Sequence, residues 1–464
     1  MKIAISTSFV YLVCLLREIV EPAGLSDQCF CKLKGKVEQC CCDVETVDKI
    51  NNKIHPILDE LVKRNYFKFF RVKLDRPCPF WTNNDVCAIR HCSVLPCKEE
   101  EVPVGIKAEA SRKAVRNAST KYSKVQNGKN EKGKYGETCQ ESSNTTLGNL
   151  DDTISAKDKL AFDTWRQHDN VEENFCALDD ESTTGLQYID LLRNPEQYTG
   201  YKGFSAHRIW NSIYQENCFK PKIPYSKGYN YLLSKNIGDL CLEKRVFYRA
   251  ISGLHASINI HLSARYLFSE TAFQKPKWGM NLKEFRSRFD SDATAGQGPE
   301  WLKNLYFTYT LVLRAITKAA PYWETMEFYT GEYEEDEYVR KLVFDLLAES
   351  KACPSTFDET VLFKDPATAT VLKEEFRSHF HNVSRIMDCV GCEKCKVWGK
   401  LQVQGLGTAL KILFSGHEFE NMNFGGKAFY LTRSEIVSLF NGFTRLSSSI
   451  HYLHKFKAME HEHR

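Results

Sequence analysis

Cysteine content is the feature that most constrains this chain, because 18 cysteines stand among its 464 residues. At the N-terminus, Lys2 is followed by a short apolar stretch at 9–16, which is typical of a secretory signal peptide and too short to span a bilayer. The alternative is a buried N-terminal helix. A signal peptide over residues 1–24 sends the chain into an oxidising compartment, where so many cysteines form a disulfide framework. Because Cys14 leaves with the signal, an odd number remains, and at least one thiol stays free or pairs outside the chain.

Composition divides the rest of the chain into four regions. Residues 25–97 hold closely spaced cysteines and predict a small disulfide-stapled N-terminal cap. Residues 98–157 are polar and predict a long flexible loop, residues 158–445 predict the core, and residues 446–464 predict a C-terminal tail.

The core has the periodicity of helices rather than of strands. Apolar residues at helical spacing predict helices at 247–268, 301–319, 338–349 and 371–387. Thr432-Arg-Ser-Glu435 precedes an apolar run and predicts the capping box of a last helix. No alternation of strands and helices is visible, so we expect a mainly α fold rather than a parallel doubly wound sheet.

The sharpest chemical motif is Cys389-Val-Gly-Cys392-Glu-Lys-Cys395. Two cysteines separated by two residues at the start of a helix can close a small disulfide, and the helix N-terminus stabilises a thiolate there. We interpret Cys392 and Cys395 as a redox pair, with Cys389 left to anchor the segment to another cysteine. A plain structural disulfide and a zinc site made of thiolates are the alternatives.

A second motif is Cys87-Ala-Ile-Arg-His-Cys92, with Cys97 five residues further on. A disulfide in an exposed stretch is open to attack by an external thiolate, which suits a shuttle that passes electrons from a partner to a buried pair. A structural staple is the alternative. The predicted loop holds one cysteine, Cys139, which a flexible tether can bring to a partner thiol and release.

Residues 247–268 place polar groups inside an apolar helical pattern. Ser252, His255 and Asn259 are three and four residues apart, so they share one face of the predicted helix. With Trp210 and Tyr198 elsewhere in the chain, this face can line a pocket for a flat aromatic cofactor. The alternative is a core histidine with satisfied hydrogen bonds.

Other sequence features bear on which classes of function and which cellular route are compatible with the chain. Gly405-Leu-Gly407 is a lone Gly-x-Gly inside a predicted helix, so the dinucleotide-binding fingerprint is missing. The net charge of +4, from 63 basic and 59 acidic residues, gives no electrostatic footprint for nucleic acid. The last residues, His-Glu-His-Arg, do not match a retention signal of the Lys-Asp-Glu-Leu type. Three N-glycosylation sequons agree with the secretory route, at Asn117, Asn144 and Asn382.

Taken together, these motifs closely resemble the endoplasmic reticulum oxidoreductin 1 (Ero1) family of thiol oxidases, in particular its animal members. The resemblance runs from Cys29 to about Phe443, apart from the polar loop. Its most specific stretches are CDVET (42–46), RPCPFW (76–81), NPEQYTGYKG (194–203), ENCFKP (216–221), FYRAISGLHASINIHLSARYL (247–267) and SRIMDCVGCEKCKVWGKLQVQGLGTALKILF (384–414).

The resemblance implies a single-domain helical bundle that encloses FAD, and a relay of two cysteine pairs. Cys392 and Cys395 would lie beside the flavin, and Cys87 and Cys92 would form the shuttle that oxidises protein disulfide isomerase and related thioredoxin-fold proteins. FAD would pass the electrons to dioxygen and give hydrogen peroxide. In the regulated off state, Cys87 would pair with Cys139, and Cys92 with Cys97. The implied structural pairs are Cys29–Cys42, Cys31–Cys40, Cys78–Cys389 and Cys218–Cys241.

The resemblance also assigns cofactor contacts and a location. The FAD contacts carried over are Thr199, Trp210, Ser252, His255 and Arg288. Gln197 and Trp301 stand where the family has arginines for the adenosine or phosphate part, and each lost charge-assisted bond is worth about 1.5–3 kcal/mol. No metal is implied. We expect a monomer in the endoplasmic reticulum lumen, with any membrane association limited to the periphery of the lumenal face.

Three rival functions stay open at this point. One is a weakened relative that binds isomerase but holds little FAD, which Gln197 and Trp301 motivate. The second is a secreted, disulfide-stapled binding protein, and the third is a zinc module.

Overall fold

The structure is built mainly from helices, which confirms the predicted fold class. The computed structural model describes residues 30, 33–40, 42–81, 92–108, 175–176, 185–196, 203–217, 240–271, 274–351, 357–365, 368–415 and 429–462. Besides a helical stretch at 104–108, its helices, in chain order, are α1 (Val44–Leu61), α2 (Asn65–Lys68), α3 (Gly203–Asn217), α4 (Leu242–Ala264), α5 (Leu282–Phe289), α6 (Gln297–Lys318), α7 (Ala320–Thr325), α8 (Tyr333–Ser350), α9 (Ala369–Ile386), α10 (Glu393–Phe414) and α11 (Arg433–Glu462).

Within the described residues, two small antiparallel sheets and three short 3-10 turns accompany these helices. The strands β1 (Phe69–Val72) and β2 (Gln187–Asp190) pair with Phe69 opposite Asp190, and β3 (Tyr266–Thr271) pairs with β4 (Gln274–Gly279). The 3-10 turns span Glu99–Glu101, Glu359–Val361 and Met387–Cys389. Within the described ranges, no helix combines the length and apolar character that a bilayer crossing requires.

Glycines let the long central helices approach closely. A Cβ atom added at Gly253 of α4 would lie 2.0 Å from Thr308 Oγ1 and 2.3 Å from the Asn304 carbonyl oxygen of α6. A Cβ atom at Gly405 of α10 would lie 2.3 Å from the Ser438 carbonyl oxygen of α11. Gly405-Leu-Gly407 therefore serves helix packing, in agreement with its interpretation as a lone Gly-x-Gly within a helix.

The last helix begins where the sequence predicts and ends much later. The backbone N–H of Thr432 donates to Glu435 Oε2 at 2.7 Å, and the N–H of Glu435 donates to Thr432 Oγ1 at 3.2 Å. These two bonds confirm the predicted capping box. The tail predicted at 446–464 is wrong, because α11 continues to Glu462 and buries Ile450, Leu453 and Phe456 against the core.

Two other predicted boundaries also change. The polar loop cannot begin at residue 98, because Val102 and Ile106 are buried beside Phe69 and residues 104–108 are helical. The helix predicted over 247–268 begins at Leu242 and ends at Ala264, since Tyr266 already belongs to β3. The pairing of β3 with β4 competes successfully with the helical periodicity of these last residues.

We predict that Gly253→Ala destabilises the fold by about 1–3 kcal/mol, because the methyl group forces α4 and α6 apart. Gly442→Ala is the matched control, since its Cβ atom would meet nothing closer than 3.8 Å. That variant should be neutral or stabilised by about 0.5–1 kcal/mol through helix propensity. Chemical denaturation measures both, and equal effects would contradict the close crossing at residue 253.

Candidate redox site and cofactor cavity

Helix α10 presents the predicted redox pair at its N-terminus. Cys392 is the N-cap residue and Cys395 lies in the first turn, and their side chains are 2% and 1% exposed. A hydrogen bond from Cys395, helped by backbone N–H groups of the first turn, lowers the pKa of Cys392. Burial raises the pKa of the Cys395 thiol well above its usual range. The two sulfurs therefore lie within reach of each other but differ strongly in thiolate character.

The turn before this pair is anchored covalently and electrostatically. Cys389 forms a disulfide with Cys78, which is the pairing that the resemblance implies. Asp388 is buried and forms ion pairs with Arg385 and Lys400. Because the sulfur of Cys389 is bonded to Cys78, it cannot join Cys392 and Cys395 as a thiolate ligand. The motif then offers only two thiolates to the zinc alternative, whereas a structural zinc site normally takes four ligands.

Cys92 lies against the same pair. Cys92, Cys392 and Cys395 form one buried cluster, covered by Val390. The N–H of Lys394 donates to the carbonyl oxygen of Cys92 at 3.0 Å, which holds the two segments together. Cys92 therefore packs directly against Cys392 and Cys395, which we call the inner pair.

Cys92 is disulfide-bonded, to a partner outside the described residues. Cys97 has a free thiol, and burial raises its pKa. The pairing of Cys92 with Cys97 that the off state would require is therefore absent from this structure. Cys87 and Cys139 lie outside the described residues, so their roles stay predictions.

A cavity of about 540 Å³ opens beside α4. Its lining includes Ser252, His255 and Asn259 from one face of α4, with Arg288 from α5 and Trp301 from α6. Its volume lies within the roughly 300–1,000 Å³ typical of sites for small molecules and cofactors. The helical spacing of Ser252, His255 and Asn259 thus produces a cavity wall, rather than a packed core face.

His255 is held flat and neutral at this wall. Its ring stacks on Trp210 with centroids 3.7 Å apart and an angle of 17° between planes, and its Nδ1 lies 3.0 Å from the Tyr214 hydroxyl. Desolvation, with a smaller effect of the Arg288 charge, lowers the pKa of His255 to about 3. The cavity therefore meets an uncharged aromatic surface on this side at neutral pH.

Arg288 places a guanidinium in the cavity wall. Its Nη2 lies 2.6 Å from Glu284 Oε1 and its Nη1 donates to Asn259 Oδ1 at 2.7 Å. Among the described lining residues, Arg288 is the one cation and Asp292 is the one carboxylate. An aromatic wall with one fixed guanidinium fits a flat ring system that has an anionic extension.

Several residues that shape this cavity were not found in the sequence. Asn304 donates from Nδ2 to Ser252 Oγ at 2.9 Å, and Tyr214 bonds to His255. Tyr214 follows Trp210 by four residues on α3, so a shared helix face was the available signal. Asn304 had none, because its role depends on the crossing of α4 and α6.

The remaining predicted site residues are only partly covered by the structure. Residues outside the described ranges are Gln197, Thr199, Asn117, Asn144, Cys29, Cys31 and Cys218. Their predicted roles, and the pairings with Cys40, Cys42 and Cys241, stay predictions, although Cys241 has a free thiol here. Asn382 lies in α9 and is 2% exposed, a position that does not favour glycan attachment to the folded chain.

The family of the chain follows from comparison with known proteins. The sequence model of a family described as "Endoplasmic Reticulum Oxidoreductin 1 (ERO1)" matches residues 53–453. The chain belongs to this family. Membership makes it an oxidoreductase of the thiol oxidase class. The helical fold and the three packed cysteines described above are consistent with that chemistry.

Animal and yeast relatives support the assignment to the Ero1 family. The chain is 47% identical over 452 residues to ERO1-like protein alpha of Homo sapiens, covering 94% of this chain and 93% of that protein. It is 45% identical over 460 residues to the Ero1-like protein of Drosophila melanogaster, covering 95% and 92%. A solved structure of a cysteine-to-alanine double mutant of S. cerevisiae Ero1p matches with a TM-score of 0.56 and 30% identity, covering 90% of this chain and 98% of that chain.

We predict that Cys395→Ala raises the pKa of Cys392, because it removes the hydrogen bond that stabilises the thiolate. Cys395→Ser is the matched control, since a hydroxyl keeps a donor in place. The pH dependence of thiolate ultraviolet absorbance in the two proteins measures the difference. The same pKa in both variants would show that the helix N-terminus alone determines the thiolate character of Cys392.

His255 should make stability sensitive to acid. Between pH 6.5 and about 3, the unfolded chain binds a proton at this ring and the folded chain does not, so the free energy of unfolding falls as the pH decreases. His255→Gln should flatten this dependence relative to the unsubstituted protein. Urea denaturation of both proteins at pH 7 and pH 5 measures how much the free energy of unfolding changes with pH. The same change in both proteins would show that His255 protonates normally in the folded state.

Proposed function

We propose that the chain is an FAD-dependent thiol oxidase of the endoplasmic reticulum lumen. It would oxidise protein disulfide isomerase and related thioredoxin-fold proteins, with dioxygen as the final acceptor and hydrogen peroxide as the product. The observation that carries this proposal is the buried contact of disulfide-bonded Cys92 with Cys392 and Cys395. A structural staple has no need of a second cysteine pair against it, whereas a relay requires one.

In the proposed reaction, two thiol–disulfide exchanges move electrons inward. A client thiolate attacks the shuttle disulfide of Cys87 and Cys92, and the second client thiolate completes the client disulfide, which leaves the shuttle as two thiols. The shuttle then reduces the Cys392–Cys395 disulfide through a mixed disulfide and regains its own S–S bond. Each exchange conserves its two electrons, so an acceptor is required beyond Cys392 and Cys395.

The cavity residues suit FAD, which is the proposed acceptor. The described residues that would hold it are Trp210, Ser252, His255, Arg288 and Trp301, joined by Thr199 and Gln197. When bound, FAD supplies a two-electron acceptor that dioxygen can regenerate. The chain orients Ser252 through Asn304 and keeps His255 uncharged, so that Arg288 provides the positive charge for an anionic group.

The direction of flow requires a strong acceptor. Protein disulfide isomerase has a potential of about −180 mV, close to the poise of about −180 to −210 mV of the endoplasmic reticulum. Since about 30 mV already shifts a two-electron balance by about 1.4 kcal/mol, glutathione alone leaves little driving force. An acceptor coupled to dioxygen removes this limit.

The second candidate is a weakened oxidase that binds its client but retains little FAD. Trp301 favours it, because this residue lines the cavity without supplying a charge. Trp301→Arg restores a guanidinium and should then raise FAD affinity, whereas in a fully loaded protein it should change little. Retention of flavin during dialysis, followed by flavin fluorescence of the released fraction, separates the two candidates.

The proposed function is tested with the purified full chain, a reduced thioredoxin-fold client and an oxygen electrode. We expect flavin absorbance in the visible range, oxygen consumption and peroxide formation. Cys392→Ala and Cys395→Ala should each abolish client oxidation while flavin absorbance persists. Cys176→Ala is the control, because this buried cysteine contacts the Val403 carbonyl and lies outside the cluster of Cys92, Cys392 and Cys395, which we call the relay cluster. A colourless protein that consumes no oxygen with this client would overturn the proposal.

A further inference from the structure

Asn194 pairs with the backbone of the segment that carries Cys92. Its Oδ1 accepts from the N–H of Leu95 at 2.7 Å, and its Nδ2 donates to the Leu95 carbonyl oxygen at 2.9 Å. One amide side chain thus satisfies both backbone groups of one residue, as a neighbouring strand would. Asn194 is fully buried, so water does not compete for these bonds.

The same asparagine is tied to the helix that carries the inner pair. The backbone carbonyl oxygen of Asn194 accepts a hydrogen bond from the indole Nε1–H of Trp398 in α10 at 2.8 Å. Its own N–H and its Nδ2 both donate to the Asp190 carbonyl oxygen, at 3.1 and 3.0 Å. Asn194 therefore connects three parts of the chain, namely the Cys92 segment, the end of β2 and the first half of α10.

Glu393 forms a second connection beside Cys392. Its Oε2 accepts from the N–H of Val94 at 2.9 Å, next to the bond from Lys394 N–H to the Cys92 carbonyl oxygen. Further along, the N–H of Cys97 donates to the Tyr188 carbonyl oxygen at 3.0 Å, so the segment continues beside β2. The backbone from 92 to 97 is therefore held at both ends and in the middle.

We propose that Asn194 and Glu393 are positioning residues that hold Cys92 where it exchanges with Cys392. This inference rests on the proposed function, because it concerns the transfer between the shuttle and the inner pair. Exchange requires the attacking sulfur to approach along the axis of the disulfide, and a displacement of about 1 Å can cost about a hundredfold in rate. We call these two side chains and their bonds to Leu95 and Val94 the shuttle latch.

The exchange can be observed in isolation in a Cys395→Ser background. There the thiolate of Cys392 attacks the Cys92 sulfur of the shuttle disulfide. A Cys92–Cys392 bond forms, the bond between Cys92 and its former partner breaks, and the partner leaves as a thiolate, with no net oxidation. Since Cys395 is absent, the new disulfide accumulates. The reaction starts when protein held at low pH is brought to neutral pH, and mass spectrometry of the linked peptides measures its rate.

Asn194→Ala in this background should slow the exchange about tenfold or more, since Cys92 loses its fixed distance to Cys392. Asn51→Ala is the matched control, because this buried asparagine clamps α1 to Ser447 of α11 through both its donor and its acceptor, outside the relay cluster. If Asn194→Ala and Asn51→Ala lose similar stability and only the former loses exchange, the latch is supported. Equal exchange rates in both variants would overturn it.

Glu393 provides a test that does not depend on a buried substitution. Glu393→Gln keeps an acceptor for Val94 and removes the charge, whereas Glu393→Ala removes both, so their difference isolates the hydrogen bond. We expect exchange several-fold slower in Glu393→Ala than in Glu393→Gln, and equal rates would overturn this half of the latch. The proposed function fails separately, if the unsubstituted protein forms no disulfide in a reduced client although the trapped exchange proceeds at its full rate.

Discussion

The chemistry of this protein depends on the first turn of α10, where backbone N–H groups without helical partners meet a buried sulfur. That turn and the neighbouring thiol lower the pKa of Cys392, while burial raises the pKa of Cys395. Two cysteines three residues apart thus acquire opposite tendencies, one towards the thiolate and one towards the thiol. A disulfide at this place has a distinct leaving group and a distinct nucleophile, which thiol–disulfide exchange exploits.

The surrounding structure keeps this turn in place by interactions of very different range. The Cys78–Cys389 disulfide joins residues 311 apart in the sequence immediately before the turn. Asp388 binds Arg385 and Lys400 in the interior, where a broken ion pair would leave an uncompensated charge. The glycine at 405 lets α10 pack closely on α11, so the helix that bears the cysteines cannot shift independently. Covalent, electrostatic and steric constraints thus all act on one helix.

The cavity beside α4 is shaped by helix packing, aromatic stacking and single hydrogen bonds. Gly253 brings α4 close to α6, and this crossing places Asn304 against Ser252. Trp210 and Tyr214 of α3 then fix the plane of His255 by stacking and by one hydrogen bond. Among the described lining residues, Arg288 brings the one positive charge and Asp292 the one carboxylate.

Local chemistry was predictable from the sequence, because it depends on residues close together in the chain. The spacing of Cys392 and Cys395, the capping box at Thr432 and the shared face of Ser252, His255 and Asn259 are of this kind, and the structure contains each of them. The predicted tail after residue 445 failed because the burial of Ile450 and Phe456 comes from the rest of the core. The predicted helix beyond Ala264 failed because the partner strand of Tyr266 lies in the next segment of chain.

The sequence by itself determined which two sulfurs stand together at the start of α10, since their spacing and the helix start are local features of the chain. Tertiary structure alone decided which sulfurs meet. Cys92 and Cys392 are 300 positions apart in the sequence, and no periodicity or spacing relates them. Their contact arises from Asn194, Glu393 and the backbone of residues 92–97, through hydrogen bonds that exist only after β2 and α10 are side by side. A hydrogen bond is directional and short in range, so its partners become known only when the fold has brought them together.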